Sequence, residues 1–516
     1  MKRKRRRAEV DLNRLDGILE TTRERPLDDQ ERQTLRTAIH DLASYVAARH
    51  TEKTGQVTQD APSADPPQEK ARKKPERGHG RKGAKDFTGA KKEAVPHQEL
   101  RAGDRCPDPD CHDGRVYPKN KKDPDRVLRF YAGPPIGATV YELGSLRCTV
   151  CGTVYRPDLP EGVGPKKYDE TAVSMVAMFR YGSGFPFERV ARMQESFGIP
   201  LPVSTQWELV EDGADVLAPV HLELVRQGAQ APVLYIDDTS MRLIEEAPRP
   251  EGEDRTGQFT TGLVAEWEGG RRAAIFVTGT RHAGENLAEF LRHRLQEELE
   301  APVVMCDGLS RNRPKLDPSV EILLATCLVH GRRNFVDAYN SFPDLSHHVL
   351  EELGKVYLAD REARELEMDK HQRLAYHQAH SGPVMDGLER WMAEQFEEKR
   401  VEPNSGAGKA MRYLQNHWQG LTLFLRHPGA PLDNNVCERA LKKVVLHRKN
   451  SLFYRTPNGA RVGDTFMTLI HTCLLNGVNA FVYLTELQRR PDEIRLRPDL
   501  WMPWNYTAQL SASRPP

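Results

Sequence analysis

Three carboxylates lying far apart in the chain stand where a fold could hold them still. Ala231-Pro232-Val233-Leu234-Tyr235-Ile236 is a short apolar run that stops at Asp237, and Pro302-Val303-Val304-Met305-Cys306 stops in the same way at Asp307. Glu438 lies one turn into Leu432-Asp433-Asn434-Asn435-Val436-Cys437-Glu438-Arg439-Ala440-Leu441-Lys442-Lys443. Asn434 or Asn435 can cap a helix there, and Lys442 falls on the face of Glu438. Acids fixed on strand ends and on a packed helix can hold two divalent ions ~3.5–4 Å apart, as two-metal phosphoryl transfer requires. Hard ions such as magnesium take oxygen ligands of this kind. Asp238 and Asp433 compete for the same role. A turn aspartate and a solvated helix acid are the plain alternatives, and spacing alone leaves them open.

A second constellation is softer. Cys106-x4-Cys111 and Cys148-x2-Cys151 are separated by 36 residues, and Gly152 follows the second pair. Two cysteine knuckles of this type supply the four ligands of a tetrahedral zinc ion, and four thiolates leave no open position, so such an ion is structural. His112 is a substitute ligand, and four unrelated thiols are the plain alternative. Val127–Ala132 and Thr139–Leu146, joined by Gly133-Pro134-Pro135, are predicted strands, which makes the region a zinc ribbon.

The elements around these residues divide the chain. The 75 basic and 74 acidic residues nearly cancel, but MKRKRRR opens the chain, and residues 70–92 hold ten Lys or Arg against two acids. Such blocks are solvated tails or polyanion-binding segments. Residues 1–50 are predicted as helices with Leu12, Leu15, Leu19, Leu35, Ile39 and Leu42 in a seam, able to bind DNA or to self-associate. Residues 51–97 are a basic linker too poor in apolar side chains to fold. Residues 98–160 hold the four cysteines. Residues 161–228 contain a predicted helix over Pro186–Phe197, a turn at Gly198-Ile199-Pro200, and a second helix from Ser204 or Thr205 with Glu208 as capping-box partner. That is a helix-turn-helix outline, and also a common packing unit. Residues 229–334 alternate strand, strand, strand, helix, strand, with a helix over 284–299 and a further strand over Ile322–Leu328. Residues 335–425 are helical and read as an insertion. Residues 426–490 carry Glu438, a loop at Thr456–Ala460 and a helical pair, and 491–516 is an extended tail. No apolar run reaches the ~18–20 residues of a membrane span or forms a secretion signal, so a cytoplasmic protein without a disulfide framework is expected.

Several motifs in order carry a family resemblance. They are Ile236-Asp237-Asp238-Thr239, Met305-Cys306-Asp307-Gly308, Cys327-Leu328-Val329-His330-Gly331-Arg332-Arg333, and Asp433 to Arg439. Arg448-Lys449-Asn450-Ser451-Leu452-Phe453 and Asn476-Gly477-Val478-Asn479-Ala480-Phe481 continue them. The chain resembles insertion sequence 66 family transposases over nearly its whole length. That resemblance implies a multidomain α+β protein with a ribonuclease H-like mixed α/β core, interrupted by an all-helical insertion. It implies Asp237, Asp307 and Glu438 as a DDE triad binding two magnesium or manganese ions, the second acid 70 positions after the first and the third 131 after the second. DNA phosphates would meet Arg332, Arg333, Arg439, Lys442, Arg448 and Lys449. Transposon-end and target DNA are the implied partners, in a homodimer or higher oligomer, nucleoid-associated when bound to DNA and served by accessory transposition proteins. A nuclease that cuts without joining and a non-catalytic DNA-binding regulator are the rival readings.

Overall fold

The computed structural model describes residues 166–512 except 246–256, 296–298, 315 and 317–319. Before these it describes 28, 101–105, 114–117, 135–142, 158, 160 and the strand residues 146–147 and 154–155. The N-terminal helices, the basic linker and all four cysteines of the predicted zinc ribbon lie outside the described residues. The chain separates into one unit of residues 1–62 and 135–516 and another of 63–134. In the smaller unit Arg105 and Arg115 form an antiparallel bridge.

In the larger unit, β1 (Leu146–Arg147) and β2 (Val154–Tyr155) pair antiparallel and flank Cys148 and Cys151 in sequence. The predicted strand does not reach back over 139–142, where Val140 is 85% exposed and has no sheet to join. Helices α1 (Glu170–Ala177), α2 (Phe187–Ser196) and α3 (Val203–Gly228) follow. Gly198 makes the turn between α2 and α3 at φ +72°. The capping box expected at Thr205 and Glu208 is absent. Pro202 enters extended, and its carbonyl already accepts the Gln206 N–H at 3.0 Å, so helical bonding starts earlier. Val210, Ala214, Leu217, Val220 and Leu224 are fully buried, which makes α3 a core helix for most of its length.

The five-stranded sheet holds β3 (Val233–Ser240), β4 (Phe259–Glu266), β5 (Arg272–Gly279), β6 (Val303–Cys306) and β7 (Leu323–Thr326). Its order is β5-β4-β3-β6-β7. The β3–β4 and β4–β5 pairs are antiparallel, and β3–β6 and β6–β7 are parallel. The fold is thus α+β with one mixed sheet. Helix α4 (Ala283–Leu291) stops short of the predicted 299, because Arg294 turns inward and donates to the carbonyls of Ala229, Ala231 and Glu300. The β7 strand is shorter than predicted as well: Cys327 caps α5 (Leu328–Ala338), which takes up His330, Arg332 and Arg333.

From α5 to the last acid the described chain is helical: α6 (Pro343–Glu365), α7 (Lys370–His380), α8 (Gly382–Glu397), α9 (Gly406–Asn416) and the short α10 (Trp418–Leu421). Then come α11 (Asn435–Ser451), α12 (Pro457–Leu475) and α13 (Ala480–Gln488). The loop expected at Thr456–Ala460 is the start of α12, with the Thr456 hydroxyl accepting the Gly459 N–H at 2.9 Å and Pro457 in the first turn. The tail is not extended. It coils into α14 (Pro491–Leu496), a 3₁₀ turn at Pro498–Trp501 and α15 (Tyr506–Ala512), which lets Trp501 and Met502 bury their side chains.

Edge strand β5 is closed by a helix in place of another strand. Asp464, Thr468, Thr472 and Asn476 recur every four residues along α12 and its C-cap. They accept the backbone N–H groups of Thr278, Phe276, Ala274 and Arg272 at 2.7, 3.1, 3.0 and 3.2 Å. Four helical residues rise ~6 Å, and two strand residues rise ~6.8 Å. The side chains therefore keep pace with the strand and satisfy groups that an open edge would expose.

Candidate active site

β3 and β6 run parallel with Tyr235 opposite Met305. Two residues further along each strand, on the same face, stand Asp237 and Asp307. β3 continues past Asp237 to Ser240, paired with β4, so Asp237 is not at a strand end as the sequence suggested. It stands where the parallel pairing stops, and Asp307 directly follows β6.

Asn312, on the 3₁₀ turn Ser310–Asn312, joins the two acids. Its Nδ2 donates to Asp307 Oδ1 at 2.7 Å and to Asp237 Oδ1 at 3.3 Å. Asn312 is fully buried and Asp307 is 6% exposed. Asp307 Oδ1 also accepts the Leu309 N–H at 3.1 Å, and Asp237 Oδ1 accepts the Asp238 N–H at 2.8 Å. Burial is the main influence on Asp237 and pushes its carboxyl up to about 7. The neighbouring charges of Asp307, Asp238 and Glu438 add to that, and the Asp238 N–H opposes it.

Helix α11 brings Glu438 to this face through three attachments. Asn434 Nδ2 donates to the Ile236 carbonyl at 2.9 Å, one residue before Asp237. The Cys437 thiol donates to the Gly262 carbonyl at 3.1 Å. Leu441 packs onto Gly262, where a Cβ would lie 2.8 Å from its Cδ2, so only glycine admits the helix this close. Gly262 is the partner of Asp237 in the β3–β4 register. The cap at the start of α11 is not the one expected. The Asn434 side chain is committed to the strand, and Asp433 Oδ1 accepts the Asn435 N–H instead, at 3.1 Å.

The two competing acids have other partners. Asp238 lies 3.0 Å from His282 Nδ1 and 3.6 Å from Arg311, with its side chain 1% exposed. Asp433 is the cap just described, and burial raises its carboxyl from the ordinary range. Among the basic residues, Arg439, Lys442 and Lys449 are exposed on α11. Arg448 is drawn inward, donating to the Thr239 hydroxyl at 3.1 Å and the Ser240 hydroxyl at 2.7 Å. Arg332 is buried at 5% exposure, so the surface position expected of it is corrected, while Arg333 is half-buried. The sequence reading missed Asn312, His282 and Arg311, which belong to segments without apolar pattern.

A family model described as the IS66 family of transposases matches residues 166–462, a span that contains the sheet, the three acids and the intervening helices. The chain belongs to the IS66 transposase family. Three uncharacterized proteins of Sinorhizobium fredii are similar to it. Protein y4jD is 30% identical over 353 residues, 64% of this chain and 65% of that protein. Protein y4hP is 24% identical over 387 residues, 71% of this chain and 67% of its own length. Protein y4qI is 29% identical over 366 residues, 65% and 62% respectively. The chain thus spans just under two thirds of the first of these relatives. Among the described residues, no helix is long and apolar enough to cross a membrane.

Proposed function

We propose that this chain cuts DNA at transposon ends and joins the cut ends to target DNA, with Asp237, Asp307 and Glu438 as the residues that hold two magnesium or manganese ions. The observation that carries this reading is the register: Asp237 and Asp307 emerge side by side from parallel strands, and α11 is pinned so that the charge of Glu438 reaches Asp237. The strand order, with three antiparallel strands followed by two parallel ones, supports a ribonuclease H-like core.

The donor set suits hard divalent ions. Asp237 and Asp307 share the Asn312 amide, Asp237 is pushed up by burial and by its acidic neighbours, Glu438 among them, and Glu438 Oε1 is a buried oxygen without a hydrogen-bond partner among the described residues. Such ions, when bound, activate the attacking oxygen and stabilise the leaving oxygen of a phosphodiester. The chain's own part is placement. Strands β3 and β6 fix two acids in one register, Asn434 and Cys437 fix the third, and Asn312 keeps the first two from separating. Asp238, bonded to His282 and ion-paired with Arg311, supports the site from the other side of β3. Exposed Arg439, Lys442 and Lys449 offer cations to DNA phosphates along α11, and Arg448 stiffens the end of β3.

The four cysteines would hold a structural zinc ion, and α2–α3 together with the basic N-terminal segments would bind transposon ends. Joining two ends calls for at least a dimer, and accessory proteins fit the same scheme. Supplying pre-cut ends with free 3′ hydroxyls tests the activity. A transposase joins them to target DNA, whereas a nuclease without joining activity or a regulator does not. Full strand transfer by Asp307→Ala or Glu438→Ala would remove those residues from the mechanism.

A further inference from the structure

Cys327, His330 and Glu438 bring one thiol, one imidazole and one carboxylate together, with their ligand atoms all within 4.8 Å of one another. Local structure explains the convergence. Cys327 is the N-cap of α5 and His330 is its third helical residue, positions whose side chains meet over the helix start. The Cys327 Sγ also accepts the Asn434 N–H at 3.3 Å, which ties it to the start of α11, and Glu438 is in the first turn of that helix. Burial pushes the Cys327 thiol up to about 12, and the Asn434 and His330 N–H groups at the two helix starts oppose that, so the sulfur is a thiol that gives up its proton to a bound metal ion. His330 Nε2 lies 3.9 Å from Glu438 Oε1, and the two side chains are 25% and 17% exposed, so the cluster opens to solvent on one side. His330 Nδ1 and Glu438 Oε1 are buried without hydrogen-bond partners among the described residues.

We propose that these three residues form a second cation site, for zinc or another late first-row transition ion, which shares Glu438 with the acid pair and takes it out of catalysis when filled. The chemistry separates the two sites. A thiolate and an imidazole are poor ligands for magnesium and good ones for zinc, which takes three protein ligands and a water in its open sites. Ligand-to-ligand spacings of about 3.5 Å in a tetrahedral zinc site need a contraction of about an ångström from the present arrangement. Rotamer adjustment of His330 and Glu438 can supply it. Binding releases the Cys327 thiol proton to solvent. Once held by Cys327 and His330, Glu438 is turned toward α5 and away from Asp237. Binding follows from the cluster alone, and the effect on catalysis rests on the function proposed above.

The test uses the full chain, first given one equivalent of zinc for the four-cysteine module and then titrated with cobalt. A thiolate-to-cobalt charge-transfer band should grow with a further equivalent of cobalt, survive excess magnesium, and be lost in both Cys327→Ser and His330→Ala. Circular dichroism establishes that the variants are folded, and His330→Ala keeps the test open should Cys327→Ser misfold. Identical cobalt titrations for wild type and both variants would overturn the site. In magnesium-dependent end cleavage, zinc should inhibit the wild type, and Cys327→Ser should need ~10–100-fold more zinc for the same inhibition. Cobalt binding without zinc inhibition would overturn the regulatory role. A wild type with no magnesium-dependent cleavage would sink the proposed function instead, and the cobalt band would still decide the site.

Discussion

Asn434→Ala removes the attachment between α11 and β3 that lies nearest the acids. The Asn434 side chain is fully buried, and its Nδ2 is 2.9 Å from the Ile236 carbonyl. Losing that bond costs about 1–3 kcal/mol if the carbonyl is left without a substitute partner. The helix stays docked, because the Cys437 bond to Gly262 and the Leu441 contact remain. Its first turn is then free to shift, and Glu438 shifts with it. A misplacement of about 1 Å in a catalytic group costs on the order of 100-fold in rate. The variant should therefore melt only a few degrees lower, bind manganese more weakly by calorimetry, and cut transposon-end DNA ~100-fold more slowly. Asn434→Asp preserves the volume but faces the carbonyl with an acceptor, and it should lose at least as much. Cleavage within about twofold of wild type, alongside a lowered melting temperature, would show that this bond stabilises the fold without positioning Glu438.

Other expectations follow from the same geometry. Asn312→Leu leaves buried Asp307 and half-buried Asp237 facing each other without their shared donor, so the metal-free protein should lose ~1–3 kcal/mol, and manganese should raise its melting temperature more than that of wild type. Equal thermal shifts would deny Asn312 its bridging role. Thr472→Val strands both the N–H and the carbonyl of Ala274, which the hydroxyl now serves at 3.0 and 3.1 Å. Urea unfolding should register ~2–6 kcal/mol for the two groups, and a loss below ~1 kcal/mol would mean that the β5 edge is not held by α12. His447 is buried between Tyr181 and Tyr454, and burial, reinforced by Arg180, pushes it down to about 3. A depressed histidine contributes stability that is complete above ~6.5 and is lost as pH falls from there toward 3. His447→Phe, which keeps the ring stack, should flatten the decline of melting temperature over that window. His221 and His471, each pushed down to about 4 by burial, add to the decline in the same direction.

Much of the site frame was legible in the sequence because it rests on periodicity and length. The apolar runs before Asp237 and Asp307 are buried strands, the pair turning near Gly269 and Gly270 formed as expected, and the segment from Glu438 onward is a helix. What escaped depends on partners distant in sequence. Asn434 was expected to cap its own helix, but a strand carbonyl claims its side chain, and Asp433 takes over the cap. Asn312 sits in a short polar turn whose sequence announces nothing, and only the folded chain places it between two acids. The predicted helix over 284–299 formed but ends at Leu291, because Arg294 finds three carbonyls elsewhere. One signal does lie in the sequence: Asp464, Thr468, Thr472 and Asn476 form a polar stripe at a strict four-residue interval along a largely buried helix and its C-cap. A buried polar stripe of that kind has to meet backbone groups, and here it meets the edge of the sheet.

The role of the three acids is tested most directly by anomalous diffraction from crystals soaked in manganese. Two peaks bridged by the carboxylates of Asp237, Asp307 and Glu438, lost in Asp307→Ala, are the expected result. Peaks coordinated by Asp238 or Asp433 in place of those residues, or no peak at the junction of β3, β6 and α11, would contradict it.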